Sequence, residues 1–396
     1  MVCSIADRVK YTIERCYMKD TRIYVCHTLY HVFISILKEL NIHDESRGSA
    51  DIALSTVFMD WGSLSDRLED SGIFSHVLSL KERYCEEFPD IAVYKQNHGN
   101  IIKHTINRII FTKKFGKALD ELIDIDFKKY DDIYVYCDSD PIGYYLNYHH
   151  IKYHAMEDGL DCLKNFDAAH FDNAGHFRLK AFLASLNLIF IQNGYSKYCI
   201  DMEINDDSYL DYEFAKYRVV PRAPLMAAIS SSDKKRIIDV FLEDADAIRQ
   251  KLKDKEDCIL FLTEGYPGDN KEARIAISKE VLTDYCHISI DSSKVAKDEP
   301  HVIIKPHPRD DVDYEALYPM CTVIHGKFPI EVLNFMEGIR FKKAISIITS
   351  ALDSMEFVDD KINIGPHIYD KYEPIEKHLF MTEPWDKAHP IGDTDV

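Results

Sequence analysis

Short apolar runs alternate along the chain with longer stretches in which apolar residues recur every three or four positions. The short runs predict buried β-strands, and the longer stretches predict amphipathic helices. The predicted strands cover residues 22–26, 51–58, 133–137, 153–156, 258–262, 302–304, 321–324 and 344–348. Because strands and helices alternate in both halves, we expect an α/β fold built on parallel, doubly wound sheets.

Prolines and a serine cluster occur together between residues 219 and 232, a composition typical of a linker between domains. A chain of 396 residues exceeds the size at which a single core usually stops growing. We therefore expect two domains, residues 1–225 and 226–396, with a cleft between them. A long charged helix over 233–255 is expected in the second domain, and the C-terminal tail is expected to pack back on the first.

The segment His301–Asp310 (HVIIKPHPRD) is the most informative part of the chain. An apolar strand ends in a turn in which two prolines hold His307 in a stiff loop, with Lys305 and Arg309 beside it. Ligands of open α/β sheets bind at the carboxyl ends of the strands. A fixed imidazole between two cations suits an anionic group, above all a phosphate.

Hydroxyl and carboxyl groups follow other predicted elements of the second half. Thr349 and Ser350 come directly after a strand and before a helical pattern over 351–358. They suit either a helix N-cap or an anion site, and the same atoms can serve both. Glu331 lies at a predicted helix start, where it either complements the helix dipole or accepts the hydroxyls of a ribose.

In the first half, acidic residues follow two predicted strands. Glu157 and Asp158, before Gly159, form either an ordinary acidic turn or a general base facing the cleft. Asp138 and Asp140 form a D-x-D pair that suits a divalent cation. Because Pro141 follows Asp140, we favour a helix N-cap for this pair over a metal site.

The charge distribution excludes one class of partner. The formal net charge is −19, which argues against a nucleic-acid-binding protein. Ten cysteines without a C-x-x-C pair indicate a reducing, cytoplasmic environment, and no apolar run is long enough to span a bilayer. Residues 95–117 are basic and amphipathic. We favour a core-facing helix there, with peripheral contact with the inner membrane as the alternative.

Taken together, these motifs resemble those of bacterial sialyltransferases with the GT-B fold. The likeness is to the lipooligosaccharide sialyltransferases (glycosyltransferase family 52), with polysialyltransferases and Pasteurella-type sialyltransferases as relatives. Those families share an acidic-acidic-Gly motif, a His-Pro motif and a Ser/Thr pair. Here these motifs are Glu157–Gly159, His307–Pro308 and Thr349–Ser350. The resemblance implies two Rossmann-like domains facing a central cleft.

The resemblance also implies roles for individual residues. Asp158, with Glu157 as second choice, would deprotonate the acceptor hydroxyl, and His307 would assist the departing phosphate. The implied donor-binding residues are Lys305, Pro308, Arg309, Glu331, Thr349, Ser350, Thr263, Glu264 and Gly265. The implied reaction is inverting, metal-independent transfer of sialic acid from CMP-sialic acid to a sugar hydroxyl, galactose above all, of a bacterial surface glycan. The resemblance implies that this reaction uses no cofactor.

Three alternatives remain open at this point. The protein could be a GT-B transferase with another donor, such as CMP-Kdo or CDP-glycerol, since a His-Pro loop and paired hydroxyls suit these equally. Transfer could depend on a metal held by Asp138 and Asp140. The chain could also be a glycan- or nucleotide-binding protein without catalytic activity.

Overall fold

A computed structural model describes residues 21–96, 100–159, 162–163, 167–253, 257–265, 270–290, 299–378, 381–382 and 385–386. The chain divides into two compact units. The first comprises the residues up to Asp158 together with Ala168–Ile229, and the second comprises Gly159–Asp167 together with the residues from Ser230 onward. The segment expected to pack back on the first domain begins after Tyr369; its described residues belong to the second unit, and the residues after 386 lie outside the described ones.

The first unit contains a sheet of seven parallel strands in its described part. They are β1 Arg22–Cys26, β2 Ala50–Ser55, β3 His76–Leu80, β4 Asp132–Tyr136, β5 Tyr153–Met156, β6 Cys199–Ile204 and β7 Tyr217–Val219. Their spatial order is β3-β2-β1-β4-β5-β6-β7, and each neighbouring pair is parallel. The strand order reverses between β1 and β4, so the carboxyl ends of these strands form the switch point where ligands bind in such sheets.

Helices connect these strands. They are α1 Leu29–Leu40, α2 Ser63–Ser71, α3 Pro89–Ala92, α4 Ile101–Ala118, α5 Pro141–Tyr148, α6 Ala168–Asp172, α7 Phe177–Ser185 and α8 Arg222–Ala227. Helix α1 follows β1 after two residues, and the hydroxyl of Thr28 caps it by accepting the backbone N–H of His31. A side chain at the third position of this helix is therefore fixed next to the switch point.

The second unit repeats the arrangement with five parallel strands in its described part. They are β8 Ile259–Leu262, β9 Val302–Lys305, β10 Thr322–Val323, β11 Phe341–Ser346 and β12 Val358–Asn363. Their order is β10-β9-β8-β11-β12, and all pairs are parallel. The order reverses between β8 and β11, which places the switch point of this sheet where the Thr263 and Thr349 segments begin.

The helices of the second unit are short. They are α9 Ser231–Phe241, α10 Ala245–Leu252, α11 Lys271–Glu280 and α12 Tyr314–Leu317. A π-helical turn over Val281–Tyr285 extends α11, and 3₁₀ turns cover Ile330–Phe335, Ser350–Ser354, Pro366–Lys371 and Ile375–Lys377. No helix in the described ranges is both long and apolar enough to cross a membrane.

Two sequence predictions of helices were wrong. The charged segment expected as one helix over 233–255 forms α9 and α10, because Leu242 has an extended backbone and the side chain of Asp244 caps a new helix by accepting the N–H of Ala247. The helix expected over 351–358 is the 3₁₀ turn Ser350–Ser354, and the chain then enters β12.

Candidate functional site

The candidate base Asp158 lies at the carboxyl edge of the first sheet, directly after β5 and Glu157. Its side chain is 54% exposed, and its Oδ1 accepts a hydrogen bond of 2.5 Å from Nε2 of the fully buried His31. Loss of solvent acts to raise the pKa of Asp158, but the hydrogen bond from His31 outweighs it and holds that pKa below its usual range. The carboxylate is therefore ionised throughout the neutral pH range.

The proton position on His31 follows from its backbone contacts. Its Nδ1 accepts the backbone N–H groups of His27 and Thr28, at 3.0 and 3.2 Å. The proton of the neutral ring must then lie on Nε2, which donates to Asp158. Burial lowers the pKa of His31 despite the neighbouring carboxylate, so the ring is neutral. The ring also stacks on Tyr136, with centroids 4.5 Å apart.

The same contacts make a metal ion a poor fit here. Nε2 of His31, the thiol of Cys137 and the carboxylate of Asp158 lie within 4.8 Å of one another, a ligand set that suits a divalent cation by type. A metal on Nε2 would require the proton on Nδ1. That proton would point at the backbone N–H groups that Nδ1 now accepts. The structure therefore favours the Nε2 proton over a metal.

Glu157, the second choice for the base, is in a different environment. Glu157 is 2% exposed, and its Oε2 accepts the backbone N–H of Asn205. A buried carboxylate that bonds to a neighbouring loop is less accessible to a substrate than Asp158. The two adjacent acids, of which Asp158 was the first choice, thus differ in their accessibility.

The D-x-D pair is divided between two hydrogen-bond networks. Both oxygens of the buried Asp138 are occupied, by the hydroxyl of Tyr153 and the backbone N–H of Asn193. Asp140 takes the N-cap position of α5 with Pro141 in the first turn, as the sequence predicted, but its side chain does not cap the helix. This arrangement gives no shared position for a cation between the two carboxylates.

In the second unit, His307 lies in the turn after β9 and is fixed by its neighbours. Its backbone N–H donates to Oγ1 of Thr263, and its Nδ1 accepts the backbone N–H of Arg309 at 3.1 Å. The ring proton therefore lies on Nε2, which makes that atom a hydrogen-bond donor. Burial, followed by the charges of Arg309 and Lys305, lowers the pKa of His307 to about 4, so the ring is neutral at pH 7.

The absence of a side chain at Gly265 leaves room for the His307 ring. A Cβ at position 265 would lie 2.2 Å from Cε1 and Nδ1 of the imidazole, closer than any real contact allows. Glu264, one residue earlier, accepts hydrogen bonds from the hydroxyl of Ser346 and the backbone N–H of Ile348. The loop after β8 therefore joins the His307 turn on one side and the end of β11 on the other.

Asp310 anchors the same turn, although it was not among the predicted site residues. Its buried carboxylate accepts hydrogen bonds from Thr263, Arg274 and Tyr314 at 2.6, 3.2 and 2.7 Å. The Thr263 hydroxyl thus donates to Asp310 and accepts from the His307 amide. Thr263 therefore contributes by holding the turn, and these bonds leave its hydroxyl engaged within the protein.

Thr349, Ser350 and Glu331 lie near one another at the end of β11. Thr349 accepts the backbone N–H of Ala351, and Ser350 begins the short 3₁₀ turn. Glu331 is 5% exposed and borders this turn through Ser354; burial raises the pKa of its carboxyl to about 7. The α-helix start that the sequence predicted here is not present, and the five residues of the 3₁₀ turn align few peptide dipoles towards an anion.

The remaining predicted donor contacts differ in accessibility. Arg309 is exposed and Pro308 is partly buried, both in the His307 turn. The ammonium of Lys305 is buried, donates to the carbonyls of Pro306 and Gly326, and lies over the ring of Phe328. Burial lowers the pKa of Lys305 to about 8. In this conformation these bonds make Lys305 a support of the loop. Its ammonium would have to leave the two carbonyls in order to contact the donor directly.

His27 and His31 are candidate functional residues that the sequence reasoning missed. His27 is buried at the carboxyl end of β1 and bonds to Glu82 at 2.9 Å, and its ring lies edge-on to that of His31. The available signal was the sequence His27-Thr28-Leu29-Tyr30-His31 directly after an apolar strand. Two histidines at the start of the helix that follows β1 lie at the switch point of a doubly wound sheet.

Comparison with known proteins shows the family and the fold of the chain. The model of glycosyltransferase family 52 matches residues 94–364, which is more than half of the chain. An uncharacterized protein of Haemophilus influenzae is 28% identical over 153 residues. That match covers 37% of this chain and 45% of the relative, so the chain spans less than half the length of this relative.

Solved structures resemble the whole chain at low identity. An α/β-galactoside α-2,3-sialyltransferase of Photobacterium phosphoreum is 12% identical with a TM-score of 0.54, over 96% of this chain and 98% of that one. The GT-B domain of a sialyltransferase of Photobacterium damselae is 14% identical with a TM-score of 0.50, over 93% and 97%. These similarities assign the GT-B fold.

Proposed function

The chain belongs to glycosyltransferase family 52, and from that premise we propose that this glycosyltransferase moves sialic acid from CMP-sialic acid to a sugar hydroxyl. We further propose that the transfer inverts the anomeric configuration, needs no metal and builds a bacterial surface glycan. The similarity in fold to two sialyltransferases supports the choice of donor. The first acceptor to test is a galactoside, the substrate class of the Photobacterium phosphoreum enzyme.

The proposal assigns opposite proton roles to Asp158 and His307. The bond between the anomeric carbon and the phosphate oxygen breaks as a bond to the acceptor oxygen forms on the other face. Asp158 takes the proton of the acceptor hydroxyl. Nε2–H of His307 donates to the phosphate that departs, and the negative charge of that phosphate would raise the pKa of His307 above its value in the free protein.

One observation carries the proposal: each candidate catalytic group lies at the carboxyl edge of its own sheet, in the protonation state its role requires. Asp158 is ionised and held by His31. His307 is neutral, with Nδ1 occupied by a backbone N–H and Nε2 left as the donor. An accepting carboxylate and a donating imidazole are the two groups that an inverting transfer to a hydroxyl needs.

The remaining groups of the second unit have supporting roles in this proposal. The hydroxyls of Thr349 and Ser350 and the amides of their turn would bond to the phosphate, and the carboxyl of Glu331 would accept the ribose hydroxyls. Metal independence is proposed for two reasons. The single phosphate of the donor needs no cation to bridge a diphosphate, and the tautomer of His31 opposes coordination beside Asp158.

The direct test is incubation with CMP-sialic acid and lactose in the presence of EDTA, followed by mass spectrometry of the product. We expect one sialic acid to be added to lactose, with activity equal to that without EDTA. Asp158→Ala and His307→Ala should each lower the rate about a hundred- to thousandfold while CMP still binds. Release of CMP from CMP-Kdo, or transfer from CDP-glycerol, without transfer from CMP-sialic acid would contradict the donor assignment.

We also propose that the enzyme acts in the cytoplasm and contacts the inner membrane through residues 95–117. Helix α4 exposes Ile101, Ile102 and Ile106, with side chains 56%, 69% and 51% exposed. The exposed Lys103 lies among them, and no acidic residue occurs between 94 and 117. Apolar side chains with interspersed lysines are typical of a segment that rests on an anionic bilayer surface.

A further inference from the structure

An exposed aromatic ring lies beside the candidate base, in the same unit. Phe58 follows β2 and is 50% exposed. Its ring lies edge-on to two neighbours, with centroids 6.0 Å from that of His27 and 5.8 Å from that of Tyr84. His27 in turn lies edge-on to His31, at 6.1 Å, and His31 donates to Asp158. A chain of ring contacts therefore connects the exposed face of Phe58 to the candidate base.

A buried carboxyl oxygen next to this ring accepts no hydrogen bond. The Asp140 side chain is 10% exposed, and its Oδ1 accepts the hydroxyl of Tyr84 at 3.4 Å. Its Oδ2 has no hydrogen-bond partner and lies 3.6 Å from Nε2 of His27, which instead bonds to Glu82. A buried acceptor left without a donor costs stability, so a hydroxyl that reached Oδ2 would bind favourably.

The charged side chains around Asp140 affect its pKa. Burial raises the pKa of Asp140 to about 7, against the opposing effect of His27; the charges of Glu82 and Asp158 raise it further. Within the first unit, His27 connects the two carboxyls: its Nε2 lies 3.6 Å from Oδ2 of Asp140, and its ring lies edge-on to that of His31, which donates to Asp158. A ligand that bonds to Asp140 would therefore have its other polar groups close to the base.

We propose that Phe58, Tyr84 and Asp140 form the subsite for the pyranose ring of the acceptor. This inference rests on the proposed function, because it names where the acceptor of that reaction binds. The C–H face of the sugar lies on the ring of Phe58, whose π face attracts polarised hydrogens. A sugar hydroxyl donates to Oδ2 of Asp140, and the neighbouring hydroxyl of the same sugar is then directed towards Asp158.

Acceptor kinetics test the role of Phe58. For Phe58→Ala we expect the KM for lactose to rise about fivefold, because an aromatic contact of this kind contributes about 1 kcal/mol. The KM for CMP-sialic acid and the rate of donor hydrolysis without acceptor should stay the same. Phe58→Trp should restore the acceptor KM. Phe171→Ala is the matched control, since that ring is 59% exposed on α6 and lies outside the proposed subsite.

Asp140→Asn tests the second contact. The carboxylate has one oxygen for Tyr84 and one for the sugar, whereas the amide has one oxygen for both. We expect the lactose KM to rise about tenfold with kcat changed less than KM. An unchanged KM in both Phe58→Ala and Asp140→Asn, or an equal rise in Phe171→Ala, would overturn the subsite.

Saturation-transfer NMR with lactose gives a readout that does not depend on transfer. In the wild type, saturation should be transferred to the lactose protons on one face of a sugar ring. This transfer should disappear in Phe58→Ala and persist in Phe171→Ala. Binding through Phe58 without transfer from CMP-sialic acid would support the subsite and contradict the proposed donor. Transfer to lactose with wild-type NMR effects in Phe58→Ala would support the function and refute the subsite. An absence of saturation in the wild type would also refute the subsite.

Discussion

At the scale of single residues, the decisive contact is the one between His31 and Asp158. Two backbone N–H groups occupy Nδ1 of His31, so the ring has one proton to donate and Asp158 receives it. The resulting carboxylate is ionised but a weak base. It suits a reaction in which the acceptor hydroxyl loses its proton late, as the bond to the sugar forms.

Removal of the His31 donor should shift the pH dependence of transfer. His31→Ala removes the strongest interaction that lowers the pKa of Asp158 and leaves the weaker effects of Cys137 and His27, so this pKa should rise and the acid limb of kcat/KM should move to higher pH. His31→Gln is the matched variant, because its amide can accept the backbone N–H groups and donate to Asp158. We expect a wild-type profile between pH 4.5 and 8 for His31→Gln. An identical profile in His31→Ala would show that this hydrogen bond does not set the ionisation of the base.

Gly265 is a second position where one atom decides the geometry. A Cβ there would lie 2.2 Å from the imidazole of His307, so Gly265→Ala must displace the ring from its hydrogen bond with Arg309. We expect kcat/KM to fall about a hundredfold, the cost of losing one aligned donor. Steady-state rates with CMP-sialic acid measure this loss.

Gly159→Ala is the control for that variant. Gly159 does not have the positive φ that requires glycine, and no described atom lies within 4 Å of a Cβ there. We expect Gly159→Ala to retain its rate within about threefold. Equal losses of rate in both variants would mean that both positions need the backbone freedom of glycine. The loss in Gly265→Ala could then not be assigned to contact with His307.

At the scale of elements, the sequence predicted most strands inside the two sheets and the edge strand β10, and it missed β6 and the edge strands β3, β7 and β12. The strands β1, β8 and β9 were predicted within a residue, because their apolar runs are buried on both faces. Edge strands β3 and β12 carry exposed or charged residues and have no apolar run. Polar edges of this kind discourage pairing with other chains, and they also remove the pattern that predicts a strand.

The sequence also predicted only part of the candidate site, because local sequence pattern reveals only part of it. Motifs that lie within one loop, such as His307–Pro308 and Thr349–Ser350, could be found because strand and chemistry are adjacent in sequence. The contacts of His31 with Asp158 and of Gly265 with His307 join residues 127 and 42 positions apart. They arise from the order of parallel strands, which local pattern does not reveal.

The Ile330–Phe335 turn should make stability depend on pH through Glu331. Burial raises the pKa of its carboxyl from 4.5 to about 7. The folded state therefore retains a proton that the unfolded chain has lost between those values. The contribution of Glu331 is complete below pH 4.5 and decreases as pH rises to 7, by an upper limit of about 3 kcal/mol.

Thermal unfolding of Glu331→Gln checks this dependence. The amide does not titrate, so the melting temperature of the variant should exceed that of the wild type at pH 8, and the difference should shrink towards pH 5. Glu337→Gln, at an exposed position two residues beyond the turn, should follow the wild type at each pH. A constant difference between Glu331→Gln and wild type from pH 5 to 8 would contradict a raised pKa.

At the scale of the whole molecule, both units place their candidate groups at equivalent positions of equivalent sheets. The switch point between β1 and β4 holds His27, His31 and Cys137, and the switch point between β8 and β11 holds Thr263, Glu264 and Ser350. Of the sequence motifs that predicted a two-domain transferase, Thr349–Ser350 lies at a switch point, and Glu157–Gly159 and His307–Pro308 follow β5 and β9, the strands next to β4 and β8. The fold was predictable from them because a parallel sheet concentrates polar groups at one edge.

The charge distribution leads to the last prediction, because a basic helix in a chain of net charge −19 implies an anionic partner. Several basic residues of α4 have structural bonds: Arg108 donates to Asn173 and Lys113 to the carbonyl of Asn187. Lys103 is exposed beside Ile102 and Ile106, and this end of the helix is therefore the candidate for membrane contact.

Vesicle sedimentation of the full chain tests this contact. The triple variant Ile102→Ser, Lys103→Glu, Ile106→Ser should bind vesicles that contain phosphatidylglycerol at least about tenfold more weakly than wild type, since each lysine contributes about 1 kcal/mol and the apolar side chains add to it. Ile375→Ser with Lys377→Glu, at exposed positions of the second unit, is the matched control. Binding should weaken in high salt and be absent with neutral phosphatidylcholine, while transfer to soluble lactose is unaffected. Equal binding of the triple variant and the control would exclude α4 as the membrane contact.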